Sequence, residues 1–254
     1  MDFGPFGFME AYDRNWSSWV GGGEHFNFKN QHIAAGKNFE SLAHSVALLL
    51  DVEGQAQIEN DIIPSYYRIA EECLNDVFRQ KLGLSHWSAE SAALWADMEA
   101  LMERTEADYT MFWRQLSSFP ERVIPLMDGS RSSADLVAQY IGELFVDIFY
   151  RPLADSDREL WTALLVRWVS LIKEEISASD ANTTPEAVSA AMRTVNPKFV
   201  PREWMLEAAY GSAEKGEYSI TRRLFALFER PYEEHSQEDT EDFYKRGRTN
   251  ACVT

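Results

Sequence analysis

Residues 1–12 read Met1-Asp2-Phe3-Gly4-Pro5-Phe6-Gly7-Phe8-Met9-Glu10-Ala11-Tyr12, and the rest of the chain is read from this stretch. Asp-Phe-Gly alone admits two readings. It can be an acidic N-cap in front of a Gly-Pro turn. It can also be a metal-holding turn: the carboxylate takes magnesium, the Phe packs into its own domain, and the Gly lets the backbone turn. The residues that follow, 13–30, are irregular: Trp16-Ser-Ser-Trp19, Gly21-Gly-Gly23, then His25-Phe-Asn-Phe28. Three adjacent glycines suit a flexible loop whose N–H groups face an anion, but no strand leads into them, so a plain turn is favoured.

From Asn38 onward the apolar pattern is helical. Leu42, Val46, Leu49 and Leu50 recur at three- and four-residue spacing, as do Tyr66, Ile69, Cys73, Val77 and Phe78 after Pro64 and before Gly83. Leu94, Met98, Leu101 and Met102 mark a further helix, and Tyr109, Phe112, Trp113 and Leu116 another. The longest face runs Leu136, Val137, Tyr140, Ile141, Leu144, Phe145, Ile148 and Phe149, and Trp161 to Ile172 repeats it. Thr184-Pro185 is an N-cap with proline in the first turn. No stretch alternates with a period of two. The fold class expected is mainly α, with residues 1–30 as a motif-bearing segment, 31–231 as a helical domain and 232–254 as a polar mobile tail. Residues 120–133 are expected to be a surface loop.

The composition suits a substantial core: 254 residues, 45% hydrophobic, with 41 acidic against 24 basic residues and a formal charge of −17. Such a chain repels nucleic acid and anionic membranes, and no local run of basic residues offsets that charge. The longest apolar runs are too short to span a bilayer, and no targeting signal opens the sequence. Two cysteines exclude a disulfide framework and a multi-cysteine zinc site. The sequons at Asn15 and Asn182 are read as chance matches.

Few other residues promise chemistry. Asp155-Ser-Asp157 has metal-like spacing, but preceding Arg158-Glu-Leu-Trp161 it reads as a helix start. The five histidines lack a His-x-x-x-His pair, and His44 is expected to be packed or capped. Asp108-Tyr109 and Arg114 admit a reading as structural contacts; helix-surface ion pairing is favoured over catalysis. The tryptophans are mostly core. Cys73 is expected to be a buried thiol. Cys252, two residues from the end of a polar stretch, is a redox candidate if a partner is near.

The extension Pro5-Phe-Gly-Phe-Met-Glu10 behind the Asp-Phe-Gly is similar to the selenoprotein O family, protein-kinase-like enzymes that transfer AMP from ATP onto proteins. Further blocks resemble the family in its own order. They are Phe28-Lys-Asn-Gln31 (with His32 where the family has Pro), Phe78-Arg-Gln-Lys-Leu-Gly-Leu84, Ala107-Asp-Tyr-Thr110 with Phe112 and Arg114, and Leu116-Ser-Ser-Phe-Pro120. Val195-Asn-Pro-Lys-Phe-Val200, Arg202-Glu-Trp204, Ala213-Glu-Lys-Gly216 and Arg230-Pro231-Tyr232 follow.

The resemblance implies the helical C-lobe of a protein-kinase-like fold over residues 31–231, with the small N-lobe absent and residues 1–30 as a metal-binding motif and activation-loop-like segment. It implies Mg²⁺ (or Mn²⁺) and ATP bound at Asp2, and protein substrates modified at Ser, Thr or Tyr hydroxyls. The nucleotide-contacting Lys and the family's other catalytic parts lie upstream, so no catalytic residue is assigned on this chain. The alternative reading is a non-catalytic helical scaffold or a nucleotide-binding pseudoenzyme fragment. Eukaryotic members imply a mitochondrial location; without that, a cytoplasmic one is expected. They also imply a Cys-x-x-selenocysteine ending, which would place selenocysteine after Thr254 and pair it with Cys252. An apolar surface around Phe3, Phe6 and Phe8 is expected where the N-lobe would sit.

Overall fold

A computed structural model describes residues 7–17, 23–145, 147–178 and 183–247. These are helical nearly throughout, and among them the only β pairing is two isolated antiparallel bridges, Ala11 with Asp108 and Ala107 with Phe149. The mainly α expectation holds. The chain divides into two compact units, one of Asp13–Phe78 and one of Gly7–Tyr12 with everything from Arg79 on.

In the first unit, two 3₁₀ turns (Glu24–Phe26, Phe28–Asn30) lead into α1 (Gln31–Ala47). α2 (Val52–Gln57), a π-helical turn (Ile58–Ile62) and α3 (Ile63–Lys81) follow. Asp51 caps α2 by accepting from the Gly54 N–H at 2.9 Å. Aromatic side chains of α3 pack on α1. The Tyr66 ring stacks on Phe39 with centroids 5.1 Å apart, and its hydroxyl donates to the His32 carbonyl at 3.1 Å. Tyr67 donates to Glu40 at 2.6 Å. Both rings crowd Gly36, where a Cβ would sit 2.7 Å from Tyr67, so only glycine fits.

Much of the rest of this unit's apolar pattern faces outward. Leu42, Val46, Leu49, Ile69 and Val77 are exposed. Cys73 is exposed as well, so the buried thiol expected from its helical spacing is corrected. His44 is neither packed nor capped; it stands on the surface 2.9 Å from Glu59. Periodicity identifies one face of a helix, not what lies against that face.

The second unit packs α4 (Ala89–Thr105), α5 (Tyr109–Leu116), α6 (Phe119–Val123) and α7 (Ser133–Leu144) around α8 (Asp155–Ala178). Its centre is an aromatic layer. Trp95 and Trp113 stack 4.7 Å apart, Phe112 meets Trp161 at 5.1 Å, and Phe119 meets Trp168 at 5.9 Å. Two of the buried indole N–H groups find acceptors: Trp168 donates to the Leu82 carbonyl at 2.9 Å, and Trp161 to the Thr105 hydroxyl at 3.4 Å. Trp87 and Trp204 are only half-buried. As expected, α8 begins at Asp155 with Asp157 in its first turn, and Thr184 caps α9 (Pro185–Val195).

Three expectations change. Residues 120–126 are not loop, because α6 and a 3₁₀ turn (Ile124–Leu126) occupy them. α7 ends at Leu144, so Phe145, Ile148 and Phe149 are buried from a turn rather than from a helix face. Part of the stretch read as a tail folds as α12 (Gln237–Phe243), capped by Ser236. Phe243 joins Phe199 and the buried face of α10 (Glu203–Ala213) and α11 (Ser219–Glu229) in a second small core. One phenylalanine in a polar run carries that signal, too little for a periodicity argument.

Gly83 ends α3 at φ +71°, and a Cβ there would meet Met192 and Val188 at 2.7–2.9 Å. Gly83→Ala combines left-handed strain with a clash against α9. It is expected to cost about 1–3 kcal/mol in urea unfolding of the chain, well beyond a surface Gly→Ala change.

Candidate functional site

The segment Gly7–Tyr12 is separated from the Asp-Phe-Gly by two residues, and the second unit holds it at Met9, Glu10 and Tyr12. Met9 and Tyr12 are buried. The Tyr109 N–H donates to the Glu10 carbonyl and the Tyr12 N–H to the Ala107 carbonyl, each at 2.8 Å. On the other side of Ala107-Asp108, the Asp108 N–H donates to Ile148 at 2.8 Å and the Tyr150 N–H to Glu106 at 3.1 Å. Three short extended segments thus lie side by side without forming a sheet.

Charged side chains close this junction. Asp108 is fully buried and Arg202 nearly so. The guanidinium grips the carboxylate with both arms, Nη1 to Oδ2 at 2.7 Å and Nη2 to Oδ1 at 2.8 Å. Asp108 Oδ1 also caps α5, accepting from the Met111 N–H at 2.9 Å. Arg202 lies 3.5 Å from Glu10 Oε2. That same oxygen accepts from the Tyr150 hydroxyl at 2.6 Å and from the Gly247 N–H at 2.8 Å. A Cβ at Gly247 would stand 2.4 Å from the Glu10 carboxylate, so a side chain here would have to displace that carboxylate. Burial by itself would favour a neutral Arg202, but the Asp108 hydrogen bonds outweigh it and raise the affinity for the proton. Burial, then Asp108 and Glu10, raise the Tyr150 pKa and keep its hydroxyl a donor.

A second cluster lies in the same unit. Arg114 is buried; its Nη1 reaches the carbonyls of Arg193 (3.1 Å) and Asn196 (3.0 Å), and its Nη2 reaches Glu234 at 2.5 Å. Lys198 donates to the Glu234 carboxylate at 2.8 Å, to its carbonyl and to Thr240, each at 2.9 Å. Burial would raise the Glu234 pKa, but the bonds from Lys198 and Arg114 outweigh it and hold the carboxyl below its usual value. Lys81 is the exception among these cations. Its Nζ donates to Asn196 Oδ1 at 2.8 Å and lies 5.7 and 5.4 Å from the Tyr109 and Trp113 ring centroids, and among the described residues no carboxylate pairs with it. Burial pushes its pKa down to about 7.

Against the sequence expectations, Asp108 and Arg114 are not surface partners; they are two buried anchors, and the spacing had suggested helix exposure. Arg202 and Glu10 received no role from sequence, although both stand inside quoted blocks. Nothing in the chain's order signals that the carboxylate at position 10 meets the guanidinium at position 202. Asp2 and Cys252 lie outside the described residues, as do Phe3 and Phe6; Phe8 is exposed. Among the described residues no group of three His, Cys, Asp or Glu side chains is gathered as metal ligands, so the test of a metal at Asp2 does not rest on any of them. No described helix is long and apolar enough to cross a membrane.

The model of the SelO family, described as protein adenylyltransferase SelO, matches residues 1–229. Relatives named protein nucleotidyltransferase YdiU are similar along most of the chain. The protein from Aromatoleum aromaticum is 29% identical over 92% of this chain and 40% of its own length. That from Vibrio parahaemolyticus is 30% identical over 96% of this chain and 44% of its own. That from Flavobacterium johnsoniae is 28% identical over 93% and 42%. The chain therefore spans about two fifths of the length of the curated relatives it matches. These relatives are bacterial and lend the mitochondrial expectation no support.

Two outcomes test these clusters. Asp108→Asn leaves the Arg202 charge buried without its partner and is expected to cost about 3–5 kcal/mol in urea unfolding, against a smaller loss for Glu10→Gln, which is nearer solvent. Lys81 sets a pH dependence. Its folded pKa lies below the unfolded value of about 10.4, so the unfolded chain binds more protons between those values. The penalty is complete below pH 7 and is relieved as pH rises toward 10. The difference in stability between wild type and Lys81→Met is therefore expected to shift in favour of the wild type across pH 7–9.5. A flat difference would refute the assignment.

Proposed function

The chain belongs to the SelO family, and from that premise we propose that it contributes a kinase-like helical C-lobe to a protein adenylyltransferase. The reaction is transfer of AMP from ATP to a Ser, Thr or Tyr hydroxyl of a protein. Asp2 is the residue that would hold magnesium with the ATP phosphates; bound there, the ion supplies charge neutralisation along the phosphate chain. The chain's own part is positioning. The observation that carries this reading is the anchoring of Gly7–Tyr12: the residues next to the Asp-Phe-Gly are held by two buried backbone hydrogen bonds and by the Glu10 carboxylate among Tyr150, Gly247 and Arg202. Transfer at a phosphate chain depends chiefly on such fixed placement.

A helical scaffold or a nucleotide-binding pseudoenzyme fragment is the second reading, and one observation favours it: the chain spans about two fifths of the length of its relatives. The readings separate in one experiment. The 254-residue chain incubated with labelled ATP and Mg²⁺ is expected to incorporate no AMP into protein. The same residues joined to a family member's N-terminal portion are expected to do so, with loss in Asp2→Ala. Incorporation by the chain alone would contradict the division of parts proposed here. None from the joined protein would leave the scaffold.

A further inference from the structure

The chain carries a charge of −17, and no basic run in its sequence spans residues 151, 158 and 246, yet folding brings these three arginines to one cleft. Arg151, Arg158 and Arg246 line a space of about 370 Å³ in the second unit, above Phe149 and beside Pro152 and Leu153. No Asp or Glu is among its lining residues. The three guanidinium groups are not equally engaged. Arg151 pairs with Glu106 at the edge. Arg246 gives one N–H to the Phe149 carbonyl and lies 5.2 Å from the Tyr150 ring centroid, leaving four of its five donors. Arg158 is exposed at the start of α8 and has no carboxylate partner among the described residues. Gly142 of α7 forms part of the wall, and a Cβ built there meets nothing within 4 Å. The cleft thus joins unspent planar cationic donors to an apolar floor. Guanidinium groups match carboxylates in geometry as well as charge.

We propose that this cleft docks an acidic peptide segment of a protein partner, with Arg158 and Arg246 taking carboxylate side chains and Phe149 and Leu153 the apolar residues between them. Elsewhere the acidic chain repels such a segment, so the complementarity is local to this cleft. This rests on the reading above in one respect: the segment would belong to the protein that receives AMP. The fit between cleft and peptide does not depend on it.

The test is fluorescence polarisation with the whole chain and a labelled peptide, Glu-Phe-Glu-Leu-Glu-Gly, without ATP. Failure here leaves the transfer assay untouched. The same peptide with Gln for each Glu is the control, and inorganic phosphate is the competing probe. The Glu peptide is expected to bind, and the Gln peptide to bind roughly tenfold or more weakly. Arg158→Gln, an exposed change that should leave the fold intact, is expected to weaken binding by about tenfold. Gly142→Leu, which fills the cleft from a helical position with open space before it, is expected to do the same by exclusion, and thermal unfolding checks both variants. Equal binding of the two peptides, or no effect of either substitution, overturns the proposal. So does phosphate that binds with the same dependence on Arg158 and displaces the peptide at equal concentration, since the site would then take any free oxyanion.

Discussion

The buried pair between Arg202 and Asp108 is the constraint on which the second unit depends. Taking both charges out of water is costly, and their attraction repays that cost only with both arms of the guanidinium engaged and every remaining lone pair used. This geometry meets the condition. One Asp108 oxygen caps α5, Arg202 reaches on to Glu10, and Glu10 accepts from Tyr150 and from the Gly247 backbone. Such a pair is a weak source of net stability but a strong source of specificity, because any alternative arrangement strands a charge. Five places in the chain, near residues 10, 108, 150, 202 and 247, have to arrive together.

The stability itself comes from elsewhere. The aromatic layer of Trp95, Trp113, Phe112, Trp161 and Trp168 removes large apolar areas from water, and the Trp168 and Trp161 indole N–H groups are spent on a carbonyl and a hydroxyl. Around it, the irregular segment Asn196–Arg202 is buried although polar. It can be so because its side chains act as donors to backbone and to Glu234, and Arg114 accounts for the carbonyls of Arg193 and Asn196. Lys81 departs from this rule, since a neutral amide and two aromatic faces take the place of a carboxylate.

The first unit has a different balance. Tyr66 and Tyr67 close on Gly36, while leucines, valines and isoleucines of α1 to α3 stay in water. A helical surface of that composition is costly unless something covers it, and the relatives are more than twice as long as this chain. The family reading and the physical reading therefore meet: one unit holds the segment behind the Asp-Phe-Gly, and the other presents apolar helix faces.

Sequence by itself determined the helical class, most helix positions and the family, because a period of 3.6 and contiguous blocks are local properties. Trp161 to Ile172 and the Thr184-Pro185 cap were legible for that reason. It also placed Asp108, Arg114, Asn196 and Arg202 inside blocks without saying why they stand there. Tertiary structure decided their meaning. Whether Asp108 is a surface acid or a buried anchor depends on a guanidinium 94 residues away. Whether Cys73 or Leu42 is core depends on what packs against its helix, which no spacing encodes. The same holds for the three arginines at 151, 158 and 246, which no single stretch of sequence contains and which are adjacent only after folding. Local order fixes which face a residue takes; charge pairing and burial are set by residues distant in the chain, and only the folded backbone brings those within reach.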